Sequence, residues 1–244
     1  MMIELLLIIF FGLCVGSFLN VAILRLPKGE SINLPASHCP ICLHPLRWYH
    51  NIPLLSWIFL RGKCAFCHSP ISVQYPLIEL SSAFVYGIVY FREPALVQAL
   101  LIGSIFALLL ALSIIDLRYK AVPDALSLPA LIIAFCTASP LESLQNGLLF
   151  MGALSLLRFL VSFLTQKEAM GEADIIIAGI IGALLGIKLG MAAIYIAALI
   201  ALIAFMIVRK RGYELPFIPF LSLGLFITWL WSEPILSFME SLYE

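Results

Sequence analysis

Apolar residues run in long blocks along this chain, separated by short polar or Pro/Gly breaks. The first block, Ile3 to Leu24, is long enough to cross a bilayer as a helix, which takes about 20 residues at 1.5 Å each. Met1 to Leu5 carries only Glu4 and no basic residue, so the block reads as a retained span and not as a cleaved signal peptide. Further apolar runs lie near 76–91, 96–115, 122–139, 143–164, 173–187, 189–208 and 216–232. They predict eight spans, with seven also compatible; the run at 173–187 is short and holds Asp174.

Composition agrees with that pattern. Of 244 residues, 63% are hydrophobic and 11% charged, against about 45–50% and about 25% in an ordinary soluble domain. A soluble globule, a disordered chain and a collagen-like chain are all excluded. Lys plus Arg and Asp plus Glu balance at 14 each, so no basic excess points to a nucleic-acid partner, and membrane lipid is the expected surrounding.

The distribution of charge says more than its sum. With the N-terminus outside, the loops at 25–75, 117–121, 165–172 and 209–213 share one side. They carry Arg25, Lys28, Arg47, Arg61, Lys63, Arg118, Lys120, Lys167, Arg209, Lys210 and Arg211, while the opposite loops hold only Arg92 and Lys188. The positive-inside rule therefore puts the large 25–75 loop in the cytoplasm and leaves Glu240 and Glu244 outside. The expected fold is an all-α polytopic membrane protein of about eight transmembrane helices. A small cytoplasmic zinc-ribbon-like domain is inserted between the first two. The domains are then a first helix (1–24), the cytoplasmic loop (25–75) and a helical core (76–244).

All four histidines (His38, His44, His50, His68) and four of the six cysteines fall in that loop. Cys39-Pro-Ile-Cys42 and Cys64-Ala-Phe-Cys67 are two CxxC pairs 21 residues apart, close to the spacing of a four-thiolate zinc site. A segment of about 50 residues has too small a core to hold itself together reliably, and a bound metal would supply folding energy. Disulfides or redox-active thiols are the competing reading, which a reducing cytoplasm disfavours; unpaired core cysteines are a third. Cys14 and Cys136 lie in apolar runs and read as small hydrophobes.

Two acids stand at the borders of apolar runs. Asp116 closes the third and Asp174 opens the sixth. An ionisable group at the edge of hydrocarbon costs a few kcal/mol unless paired or wetted, which makes it a clue to function. Asp124 and Glu172 are read instead as residues that cap helices or complement their dipoles. Asp116 is at the C-terminal end of its helix, where the dipole disfavours a negative charge, so something else must hold it. Asp174 is at a helix N-terminus. If brought together, two carboxyls in such unlike surroundings can share a proton, one activating water while the other donates to a scissile carbonyl. A proton-coupled transporter using the same aspartates and a thiol redox protein built on the CxxC pairs are the rival classes. A transporter would usually show symmetry-related repeats and interrupted midplane helices, and no convincing internal repeat is evident.

At these residues the chain closely resembles the type IV prepilin peptidases, also called leader peptidases with N-methyltransferase activity, a family of polytopic aspartic proteases. The resemblance rests on Gly16-Ser-Phe-Leu-Asn20-Val, Arg25-Leu-Pro27, Cys39-Pro-Ile-Cys42, Asn51-Ile-Pro-Leu-Leu-Ser-Trp57 and Leu60-Arg-Gly-Lys-Cys64. It continues through Ile71-Ser, Tyr75-Pro and Glu79 to Asp116, Pro123-Asp124 and Gly171-Glu-Ala-Asp174, which occupies the place of the GxGD motif. It implies Asp116 and Asp174 as catalytic residues, and cleavage of a short basic leader from prepilins or pseudopilins at the cytoplasmic face of the bacterial inner membrane. It also implies methylation of the new N-terminus with S-adenosylmethionine. No Gly-rich cofactor loop accompanies that second activity, and the 16–79 region, with Glu79 its acidic candidate near a span, is where to seek it. Two positions depart from the motif: Ala173 replaces its second glycine and Ile176 a frequent lysine. An alanine forced to φ > 0 would be strained.

Elsewhere, Gly182, Gly186 and Gly190 read as close helix packing, Pro216 and Pro219 as shaping the start of the last span, and Arg158 as snorkelling or pairing with an acid that sequence does not name.

Overall fold

The computed structural model describes residues 2–137, 139–166, 171–208 and 215–241. Lys167, Arg209, Lys210, Arg211 and Glu244, used above for topology, lie outside the described residues. Among those described, the chain is helical, with no named strand, and forms two compact units, residues 1–107 and 108–244.

In the first unit, α1 (Met2–Arg25) packs along α3 (Gln74–Arg92). Small residues let the two backbones touch: a Cβ on Gly16 would lie 2.7 Å from Glu79 Cα, and one on Gly12 2.8 Å from Ala83 Cα. Tyr86 is buried and bonds Ser104 through its hydroxyl at 2.7 Å. The intervening segment holds two short 3-10 turns, η1 (Leu26–Lys28) and η2 (Trp48–Asn51), and the one-turn helix α2 (Leu55–Phe59). α4 (Leu96–Tyr119) runs across the boundary between the units.

The second unit adds α5 (Asp124–Phe135), α6 (Pro140–Thr165), α7 (Glu172–Val208), α8 (Ile218–Leu230) and α9 (Ser232–Ser241). α7 is its centre, with α5, α6 and α8 packed against it. Local chemistry sets the ends. Pro140 takes the first position of α6, where its missing N–H is not needed. Gln166 closes that helix in the left-handed conformation, its N–H on Ser162 O.

Every predicted apolar run falls on a helix, but spans and helices do not correspond one to one. Helices long and apolar enough to cross a membrane are Met2–Lys28, Leu96–Tyr119, Pro140–Thr165 and Glu172–Val208 among the described residues, with the bent pair α8/α9 a fifth if counted together. The runs at 173–187 and 189–208 share one element, α7, broken at Gly186 (φ 70°, ψ −169°), a conformation open to glycine and to few other residues. α5, at 12 residues, is about 18 Å long, short of the hydrocarbon thickness. The last run ends in an 84° bend at the start of α9, a helix that hydropathy does not mark because Ser232, Glu233, Ser237 and Glu240 interrupt it.

Candidate active site and cysteine cluster

Asp116 lies in the last turn of α4 and is only 7% exposed. What holds it there is the start of another helix: the Ile218 backbone N–H donates to Asp116 Oδ2 at 3.2 Å. Ile218 is the first residue of α8, and Pro219 follows it, so this orphan amide and the positive end of the α8 dipole face a carboxylate that its own helix disfavours. One turn further into both helices, the Ser113 hydroxyl donates to Ser222 Oγ at 3.2 Å and fixes the register of α4 against α8.

Asp174, 9% exposed, sits in the first turn of α7 and accepts the Gly171 N–H on Oδ2 at 3.2 Å. This is half of a capping box, an acid at the third helical position reaching back to the residue before the helix. Ala173 is helical, and the positive-φ residues do not include it, so the strain anticipated for alanine in the motif does not arise. The Asp116 and Arg158 charges both act on the Asp174 carboxylate. Arg158 finds its acid in Glu172, Nη2 to Oε1 at 3.4 Å. Two buried carboxylates, a cation and two backbone amides thus belong to the second unit. Asp124 is exposed in the first turn of α5.

The second cluster lies in the 25–75 loop. The Sγ atoms of Cys39, Cys42, Cys64 and Cys67 are all within 4.8 Å of one another. Tetrahedral Zn–S bonds near 2.3 Å place sulfurs roughly 3.8 Å apart, and Cys39 and Cys67 are separated by 3.8 Å. The two pairs are built alike. The Cys39 N–H donates to His44 O and the Leu43 N–H to Cys39 O; the Cys64 N–H donates to Ser69 O and the His68 N–H to Cys64 O. Leu43 (φ 58°) and His68 (φ 57°) make the same left-handed turn after the second cysteine, and isolated bridges His38–Pro45 and Lys63–Pro70 close each unit. The shared pattern Cys-x-x-Cys-x-x-Pro is visible in the sequence once sought. The Cys42 backbone N–H, directed at sulfur, pulls the Cys39 thiol down to about 6 against the opposing effect of burial, and the Ser69 hydroxyl lowers that of Cys67. Both effects favour thiolate, the ligand form, whereas, against the pull of the His44 backbone N–H, burial and the neighbouring thiols push Cys42 up to about 11. The donor set fits a tetrahedral metal ion.

Glu79, on α3, is buried and accepts the Leu54 N–H at 2.8 Å. The residues that sequence reasoning did not single out are Ile218, Ser113 and Ser222; only Pro219, marking a helix start, hinted at the first.

Each unit is matched over much of its length by one family model. Residues 10–93 match the Bacterial Peptidase A24 N-terminal domain, and residues 103–206 the type IV leader peptidase family. Among curated relatives, the prepilin leader peptidase/N-methyltransferase of Myxococcus xanthus (strain DK1622) is 39% identical over 71% of this chain and 54% of its own length. The Escherichia coli O78:H11 (strain H10407 / ETEC) type 4 prepilin-like proteins leader peptide-processing enzyme is 35% identical over 87% of this chain and 88% of its own. The prepilin leader peptidase/N-methyltransferase of Pseudomonas aeruginosa PAO1 is 35% identical over 93% and 90%. No solved structure matches the chain. With a family match in each unit, in order, and near-full-length relatives at 35% identity, this multi-helix membrane protein belongs to the type IV leader peptidase family.

Proposed function

We propose that the chain is an aspartic endopeptidase that removes the basic leader from type IV prepilins or pseudopilins at the cytoplasmic face of the inner membrane, with Asp116 and Asp174 as its catalytic pair. The observation that carries this reading is the burial of both carboxylates at the ends of apolar helices of the same unit, each held by a backbone amide. A substrate whose apolar helix lies in the membrane presents its leader junction at that depth. One carboxylate takes a proton from water as the water attacks the scissile carbonyl carbon; the other, protonated, donates to the carbonyl oxygen.

In this reading the chain crosses the membrane eight times with its N-terminus outside. α3, the apolar run at 122–139 of which α5 is the helical part, and the two halves of α7 on either side of Gly186 complete the count. Residues 25–75 form a cytoplasmic domain stapled by one structural zinc on Cys39, Cys42, Cys64 and Cys67, and 76–244 form the peptidase core. N-methylation is carried by the family and by the relatives' names. S-adenosylmethionine would supply an electrophilic methyl group for the new N-terminal amine; Glu79, the acidic candidate near a span, is already turned onto the Leu54 amide and is not assigned to it.

Coexpression with candidate prepilins from the same genome, scored by leader loss and by N-terminal mass, tests both activities. The parent should remove the leader and add one methyl mass. Asp116→Asn and Asp174→Asn should each insert normally and leave the leader in place, and complete processing by either variant would defeat the pair.

A further inference from the structure

The 25–75 loop carries an apolar face that its own fold leaves uncovered. Within α2, Trp57 turns inward, its ring closing on Gly62 with its indole nitrogen buried. Leu55, Ile58 and Phe59 share another face at i, i+3, i+4 spacing, and all three are exposed, Phe59 to 81%. Trp48, on the adjoining turn η2, is 79% exposed.

Two contacts set the depth of this face. Leu54, immediately before α2, donates its N–H to Glu79 Oε2 at 2.8 Å. Glu79 is five residues into α3, a rise of about 7 Å along the helix. The Asn20 side-chain amide donates to Tyr75 O at 3.1 Å and ties the end of α1 to the start of α3. α2 therefore lies beside the opening turns of α3, where Leu77 and Leu80 are themselves exposed, and not out in bulk water.

Charge selects the occupant. Residues 25–75 hold Arg25, Lys28, Arg47, Arg61 and Lys63 against Glu30 alone. Arg61 and Lys63, which directly follow α2, are exposed. Such a surface attracts anionic headgroups and repels a basic leader peptide. We propose that α2 is an interfacial anchor: Leu55, Ile58 and Phe59 dip into the cytoplasmic leaflet while Arg61 and Lys63 engage anionic phospholipid headgroups. The anchor would hold the cysteine domain against the bilayer. It rests on the membrane topology proposed above and not on the peptidase chemistry.

The test uses the full chain with p-benzoylphenylalanine in place of Phe59, reconstituted into phosphatidylcholine vesicles with or without phosphatidylglycerol, irradiated and read by peptide mass spectrometry. The peptide containing position 59 should carry a phospholipid adduct. Adding phosphatidylglycerol should raise its yield at least about threefold, and the pair Arg61→Glu, Lys63→Glu should abolish that rise. Adducts confined to protein, whether this chain, a second copy or an added prepilin, overturn the anchor, as does photoreduction of the probe without any lipid adduct. Lipid adducts indifferent to headgroup charge overturn the anionic-lipid contact. Leader removal is assayed in the same vesicles. A lipid adduct on inactive protein counts against the peptidase reading alone; full activity without a lipid adduct counts against the anchor alone.

Discussion

Asp116 illustrates how far residue-level reasoning reaches. Its position at the wrong end of a helix dipole required a compensating group, and the structure supplies the Ile218 amide, 102 residues away along the chain. The requirement was local and therefore legible; the partner was not, because packing α8 against α4 is a tertiary event. Replacing either aspartate by asparagine keeps shape and most hydrogen bonding while removing proton transfer, so leader removal should fall by at least about a hundredfold to ten-thousandfold, measured as the initial cleavage rate on reconstituted enzyme. The Arg158–Glu172 pair is a different case. Glu172 is 86% exposed, so solvent screens the interaction, and Glu172→Gln should change unfolding free energy by less than about 1 kcal/mol. A larger loss in denaturant titration would mean that the ion pair is shielded by lipid.

At the scale of elements, close approach is what composition conceals. Gly16 and Gly152 are both helical glycines in apolar runs. A Cβ at Gly16 meets Glu79 Cα at 2.7 Å, whereas one at Gly152 meets nothing within 4 Å. Gly16→Ala should therefore separate α1 from α3 and cost about 1–3 kcal/mol, while Gly152→Ala should be neutral or stabilise by up to about 1 kcal/mol through helix propensity. Melting of both variants in the same detergent compares them directly, and equal shifts would refute the α1–α3 contact. Gly186 shows the converse. Apolar periodicity runs through it, so pattern alone reads 173–187 and 189–208 as neighbours without saying how they join; a left-handed backbone inside α7 makes the joint.

For the whole molecule, the two units predict separable responses. On the proposed zinc site, chelation should remove about one zinc per chain and open residues 25–75 to protease while 108–244 stays resistant, because a metal held there would supply folding energy only to the loop it ties. Cys64→Ser should do the same without chelator; unchanged metal content and cleavage pattern in that variant would exclude the four-thiolate site. By itself, the sequence determined that the chain is helical and membrane-bound, that two CxxC pairs share a loop, and that Asp116 and Asp174 are anomalous where they stand. Those properties depend on the free energy of transfer of each residue and on short-range spacing. Only the tertiary structure decided that both thiol pairs form one cluster, that α8 delivers an amide to Asp116, and that α2 turns an apolar face outward beside α3. These are facts about which distant segments meet, and they follow from how helices pack, which no local pattern encodes.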